Sequence, residues 1–134
     1  MTKRAVIVRS SSTYVGKQGP TYAGGVSAES TGSEHLWLGR VEIPPGGRTK
    51  AHLHERHETA IYVLDGECDV YTGADLSARE VLGAREYVYI PQGVPHVAVN
   101  RSATKPLVAI IARTDPNEQE SVVLLPELEA AVPS

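Results

Sequence analysis

The chain carries one cysteine, Cys68, so no intramolecular disulfide can form. That suits a reducing cytoplasm and leaves no paired-cysteine zinc motif. No stretch approaches the ~20 apolar residues that cross a bilayer. The N-terminal MTKRAVIVRSSS is basic, but its apolar run extends only from Ala5 to Val8, too short for the core of a signal peptide. The 13 lysines and arginines are outnumbered by 16 aspartates and glutamates, for a net charge of −3. With no basic cluster to offset that balance, nothing attracts nucleic acid or an anionic membrane surface. Also missing are a G-x-x-x-x-G-K phosphate loop, a G-x-S-x-G nucleophile elbow, an internal repeat and a long amphipathic helix. The expectation is a cytoplasmic protein whose 134 residues form one domain with a proper core.

Short apolar runs rich in valine, isoleucine and tyrosine fill the chain: RAVIV, HLWLGRVEI, TAIYVL, CDVYT, EYVYI, HVAVN and PLVAIIA. Each suits a strand, and many alternate with period two, as half-buried antiparallel strands do. Turn chemistry separates them. PPGG occupies 44–47, DG at 65–66 reads as a two-residue hairpin turn, and PQGVP at 91–95 is another bend. Residues 16–34 read as a loop or extended arm, and TDPNEQE as a polar turn before SVVLL. PELEAAV fits about one helical turn, with Pro126 at its start. The pattern predicts an all-β sandwich or barrel. Its divisions are an N-terminal arm (1–34), a barrel core (35–115) and a C-terminal extension (116–134).

Three of the five histidines fall in HLHERHE, residues 52–58. In a strand, His52 and His54 project from one face. Two adjacent imidazoles, a carboxylate from Glu58 and a distant histidine, His96, make a set suited to a first-row metal with open positions. The other reading of this stretch is a solvated polar loop.

These residues also follow a known pattern. Gly46, five residues, His52-x-His54, Glu58 and Gly66 resemble the first motif of the cupin superfamily. Pro91-x-Gly93-x-x-His96-x-x-x-Asn100 resembles the second. The resemblance implies a double-stranded β-helix, or jelly-roll β-barrel, holding one divalent metal (Zn, Fe, Ni, Mn or Cu) through His52, His54, Glu58 and His96. Two departures stand out. The family's glutamate lies seven positions before the closing glycine; here that position is Thr59, and Glu58 is one step early. Either a bulge re-aims Glu58, or the hairpin is one residue longer, or Glu58 is no ligand and His57 takes its place. Arg85 stands where a glycine commonly opens the second motif.

Around this set, His35, Trp37, Val41 and Ile43 share parity, so Trp37 either walls the cavity with His35 at its mouth or is a core residue with His35 exposed. Thr59 and Tyr89 are further candidates for the pocket lining, although barrel tyrosines mostly pack. Arg48, Lys50 and Arg56 flank the histidines as surface charge, Cys68 reads as a small buried side chain, and Asn100 as a structural hydrogen-bonder.

The resemblance implies an enzyme acting on a small carbonyl- or hydroxyl-bearing substrate. It would be an isomerase, cyclase or decarboxylase by Lewis-acid catalysis, or a dioxygenase with a redox-active metal. Glu58 would be the anionic ligand or a general base. A non-catalytic binding or sensing cupin and a vestigial, structural site are the competing readings. A homodimer is expected, because the arm and SVVLLPEL can cover sheet edges on a neighbour.

Overall fold

A computed structural model describes residues 3–133. The N-terminal arm and the C-terminal extension each reach past it at their outer ends. Eleven strands form among the described residues, six of them from the short apolar runs: β1 (Thr13–Val15), β2 (Thr21–Val26), β3 (Trp37–Ile43), β4 (His52–His54), β5 (Thr59–Asp65), β6 (Glu67–Thr72), β7 (Ala78–Gly83), β8 (Tyr87–Ile90), β9 (His96–Asn100), β10 (Leu107–Arg113) and β11 (Val122–Leu124). They form two antiparallel sheets, ordered β1-β2-β3-β10-β5-β8 and β11-β4-β9-β6-β7. A short helix, α1 (Ala28–Thr31), follows β2, and a 3₁₀ turn over Pro126–Ala131 follows β11. Among the described residues, no helix is long and apolar enough to cross a membrane.

The sheets face each other across one apolar interior. Val41 and Ile43 from β3, Val63 from β5, and Leu107, Ala109 and Ile111 from β10 meet Cys68, Val70 and Leu82 of the other sheet. Strand alternation produces this: Val41 and Ile43 are buried while Arg40 and Glu42 beside them are exposed. A second, smaller core lies outside the barrel. There Val97, Ala51 and Leu76 pack beneath Val132, Leu125 and Leu128 of the C-terminal segment. This is why β9 buries both His96 and Val97: one face lines the barrel and the other is covered.

Three local expectations change, and one strand is unforeseen. RAVIV forms no strand; Val6 and Ile7 are 58% and 71% exposed, and their backbone finds no partner strand among the described residues. Residues 16–34 are not simply a loop: they hold β2, paired with β3, and α1, which Ser27 caps. Their glycines obscure the strand. Gly24 sits opposite Gly39, and a Cβ on either would press on the Trp37 indole. Strand β7, hidden among its charges, pairs with β6 along an edge. Finally, Asp65-Gly66 is not a hairpin turn. β5 and β6 belong to different sheets, so this is the corner where the chain crosses between them. Gly66 has φ +97°, and a Cβ there would lie 3.3 Å from Leu107.

Candidate metal centre

β4 delivers His52 and His54 to the barrel interior, and His96 opens β9 directly opposite His52. All three are buried. Their ring centroids lie 4.2–5.1 Å apart, and one nitrogen from each falls within 4.8 Å of the others. Nitrogens bound ~2.1 Å from one ion stand roughly 3–3.5 Å apart, so small rotations bring the three to a common centre. The other ring nitrogens are already committed. His52 Nδ1–H donates to the Lys50 carbonyl at 2.6 Å, and His96 Nδ1–H to the Val94 carbonyl at 3.0 Å. Those bonds fix the tautomer that leaves Nε2 unprotonated and facing inward, the usual outer arrangement around a metal-binding histidine. His54 Nδ1 lies 3.1 Å from the Thr59 hydroxyl, which can donate or accept.

Burial holds all three imidazoles neutral. It lowers His52 to about 4, the Lys50 bond only partly opposing it. It lowers His54 to about 3, reinforced by His96, and His96 to about 3, reinforced by His52. A neutral imidazole is the form that ligates. The donor set therefore fits a divalent first-row ion, on its chemistry and on its spacing.

Glu58 is not among these residues. Its carboxylate is exposed and accepts a hydrogen bond from the Tyr89 hydroxyl at 2.9 Å, itself on an exposed side chain. The reason is alternation. Thr59, Ile61 and Val63 face the cavity, which turns Glu58 outward. A bulge does exist in β5, where Ala109 pairs with Val63 and Val108 with Asp65, skipping Leu64. It lies beyond Val63, so it cannot re-aim Glu58. Thr59 lines the cavity at the place where the resemblance puts the acid. Tyr89 stays on the outer surface. Trp37 is fully buried in the core under the Arg113 guanidinium, 4.0 Å from its ring, and His35 is exposed. Cys68 lines the cavity, where burial pushes its thiol up to about 12 and leaves it inert.

His57 is buried beside the triad but bonds elsewhere: its Nε2–H donates to Glu120 Oε1 at 2.8 Å. Glu120 is a site residue that the sequence pattern does not reveal. It is buried two residues before β11, with Oε1 3.2 Å from His54 Nε2. Because His54 is neutral, that contact is not an ion pair. Arg113 Nη1 and Gln18 Nε2 each donate to Oε2 at 2.9 Å. Burial alone would raise the Glu120 carboxyl. The His57 bond, the Arg113 charge, His54 and Gln18 outweigh it and hold the group at about 2. Only the pairing of SVVLL with HLH, Val122 opposite His54, brings Glu120 here. Nothing local marks it out from Glu118.

The triad and Glu120 sit at one end of a cavity of about 60 Å³, its other walls mainly aliphatic. In this measure a water needs roughly 10–15 Å³, so there is room for a few small groups.

Comparison with known proteins agrees with this architecture. The chain is 36% identical over 78 residues to germin-like protein subfamily 2 member 4 of Arabidopsis thaliana, covering 56% of this chain and 35% of that protein. It is 30% identical over 98 residues to germin-like protein 1-1 of Oryza sativa subsp. japonica, covering 72% and 44%. The chain thus spans less than half the length of these relatives. Among solved structures, an oxalate decarboxylase from Lactobacillus farciminis, solved as a formate complex, superposes with TM-score 0.70 at 20% identity, covering 92% of this chain and 36% of that one. An uncharacterised double-stranded β-helix protein from Klebsiella pneumoniae gives TM-score 0.65 at 17% identity, covering 78% of each. An oxalate oxidase gives 0.67 at 23%, covering 82% and 57%. These likenesses place the chain among double-stranded β-helix folds. The Cupin domain family matches residues 39–112, more than half the chain and both histidine motifs, and the chain belongs to that family.

Proposed function

We propose that this cupin is a metal-dependent enzyme. Its single divalent ion is held by His52, His54 and His96, and its substrate is a small carbonyl- or hydroxyl-bearing compound. One observation carries the reading: three buried, neutral imidazoles converge, and the outer nitrogens of two are tied to the backbone carbonyls of Lys50 and Val94. When bound, a divalent ion supplies Lewis-acid polarisation of a substrate oxygen, or redox chemistry if it is redox-active. The chain's own residues do the rest. The aliphatic wall, including Val63, Leu107 and Ile111, excludes bulk water and raises the strength of polar contacts inside. The cavity admits only a few heavy atoms, and the His54–Thr59 contact orients the central imidazole. Solved neighbours named as oxalate oxidase with glycolate and oxalate decarboxylase with formate support a compact, oxygen-bearing substrate. The acid–base role expected of Glu58 has no place here, since its carboxylate lies outside the barrel.

The test is turnover. Protein loaded separately with zinc, iron, manganese, nickel and copper is incubated with small hydroxy, oxo and dicarboxylic acids and followed by proton NMR and oxygen uptake. Metal-dependent consumption lost in His96→Ala is the expected outcome. A compound bound but returned unchanged by every metal form would make the protein a binding module instead.

A further inference from the structure

Resting on that three-histidine site, we propose that Glu120 is the carboxylate ligand of the same metal, supplied from the C-terminal segment because the barrel strand that should carry an acid carries Thr59. The inward position on β5 is occupied by a hydroxyl already engaged with His54 Nδ1. The carboxylate beside it in sequence, Glu58, points to solvent. Among the described residues, Glu120 is the carboxylate that lines the cavity, and its two oxygens are treated differently. Oε2 is anchored by Arg113 and Gln18. Oε1 accepts from His57 Nε2–H and lies 3.2 Å from His54 Nε2, and these three residues form a second group within 4.8 Å that shares His54 with the triad. His54 is common to this group and to the triad, which sets a Glu120 oxygen beside the position the triad offers a metal.

His57 is then a positioning residue rather than a ligand. Its Nε2 is engaged with Glu120 Oε1 at 2.8 Å, and its ring does not line the cavity. A donor fixing a ligating carboxylate is the usual outer-shell role. Arg113 also donates to the Asn117 and Glu118 carbonyls at 2.6 and 2.8 Å, so the guanidinium that grips the carboxylate holds the loop carrying it. Glu120 lies beyond residues 39–112, the part that matches the family. Metal loading in this chain therefore couples to docking of a segment outside the two histidine motifs.

The experiment uses the untagged full chain, stripped and reloaded with zinc. Affinity is measured by competition with a chromophoric chelator for the wild type, His54→Ala, Glu120→Gln, His57→Gln and Glu58→Gln, with folding checked by circular dichroism. Anomalous diffraction at the zinc edge on loaded wild type places the ion whether or not any variant folds. The proposal expects a Glu120 oxygen about 2.0–2.2 Å from the ion. It expects at least about tenfold weaker binding in Glu120→Gln, a smaller loss in His57→Gln, and none in Glu58→Gln. An ion on the three histidines with Glu120 beyond 3 Å, and Glu120→Gln binding like wild type, would overturn the role of Glu120 and leave the triad standing. Wild type that binds no zinc, or His54→Ala that binds as well as wild type, would overturn both.

Discussion

At the scale of the residue, the histidine triad is costly to protonate and stable when neutral. Its folded values of about 4, 3 and 3 lie below the ordinary ~6.5 of a free imidazole. As pH falls below 6.5 the unfolded chain takes up protons that the folded chain refuses. Stability is therefore fully present above that pH and is lost as pH falls toward the folded values. Glu120, depressed to about 2, adds to the loss in the same direction below about 4.5. Between pH 6 and 5 the three histidines together cost metal-free protein on the order of 3–4 kcal/mol, at most about 1.4 per histidine per unit. Urea unfolding of the metal-free protein across pH 7 to 5 reads this directly, and His96→Asn should flatten the slope by about a third. A level profile over that range would contradict a neutral, buried triad.

At the scale of the element, the sequence announces some strands and conceals others. HLH, TAIYVL and HVAVN declare their positions through alternation, and with the two motifs they make His52, His54 and His96 legible from residue order alone. β2 is concealed because Gly24 and Gly25 interrupt its apolar pattern. The reason for glycine is visible only in three dimensions, where the Trp37 indole fills the space between Gly24 and Gly39. A Cβ on Gly39 would stand 2.6 Å from the edge of that ring. Gly39→Ala should therefore destabilise by about 1–3 kcal/mol, as overpacking does, read as a lower urea midpoint at unchanged slope. A wild-type midpoint would mean the β2–β3 contact leaves room for a methyl group. The Asp65-Gly66 corner misleads for a related reason. Turn chemistry reveals a change of direction but not whether the next strand stays in the sheet. Glu120 is illegible because its position depends on β11 pairing with β4, a contact between segments some 70 residues apart, and one sequence records no such pairing.

At the scale of the whole molecule, the C-terminal segment packs on the outside of β9 and contributes Glu120 to the cavity of the barrel. The N-terminal arm and its edge strand β1 leave Val6, Ile7 and Val15 between 58% and 71% exposed. We propose that a second copy covers this side. Light scattering at micromolar concentration should give twice the 14.4 kDa chain mass, and a monomer mass would remove the dimer. The central claim is that the barrel exists to hold a metal at His52, His54 and His96. The most direct measurement is plasma mass spectrometry of untagged protein, wild type beside His54→Ala and Glu58→Gln, after reloading with each candidate ion and desalting. The account predicts near-stoichiometric metal in wild type and Glu58→Gln and its loss in His54→Ala. Wild type without metal after every reloading would contradict it.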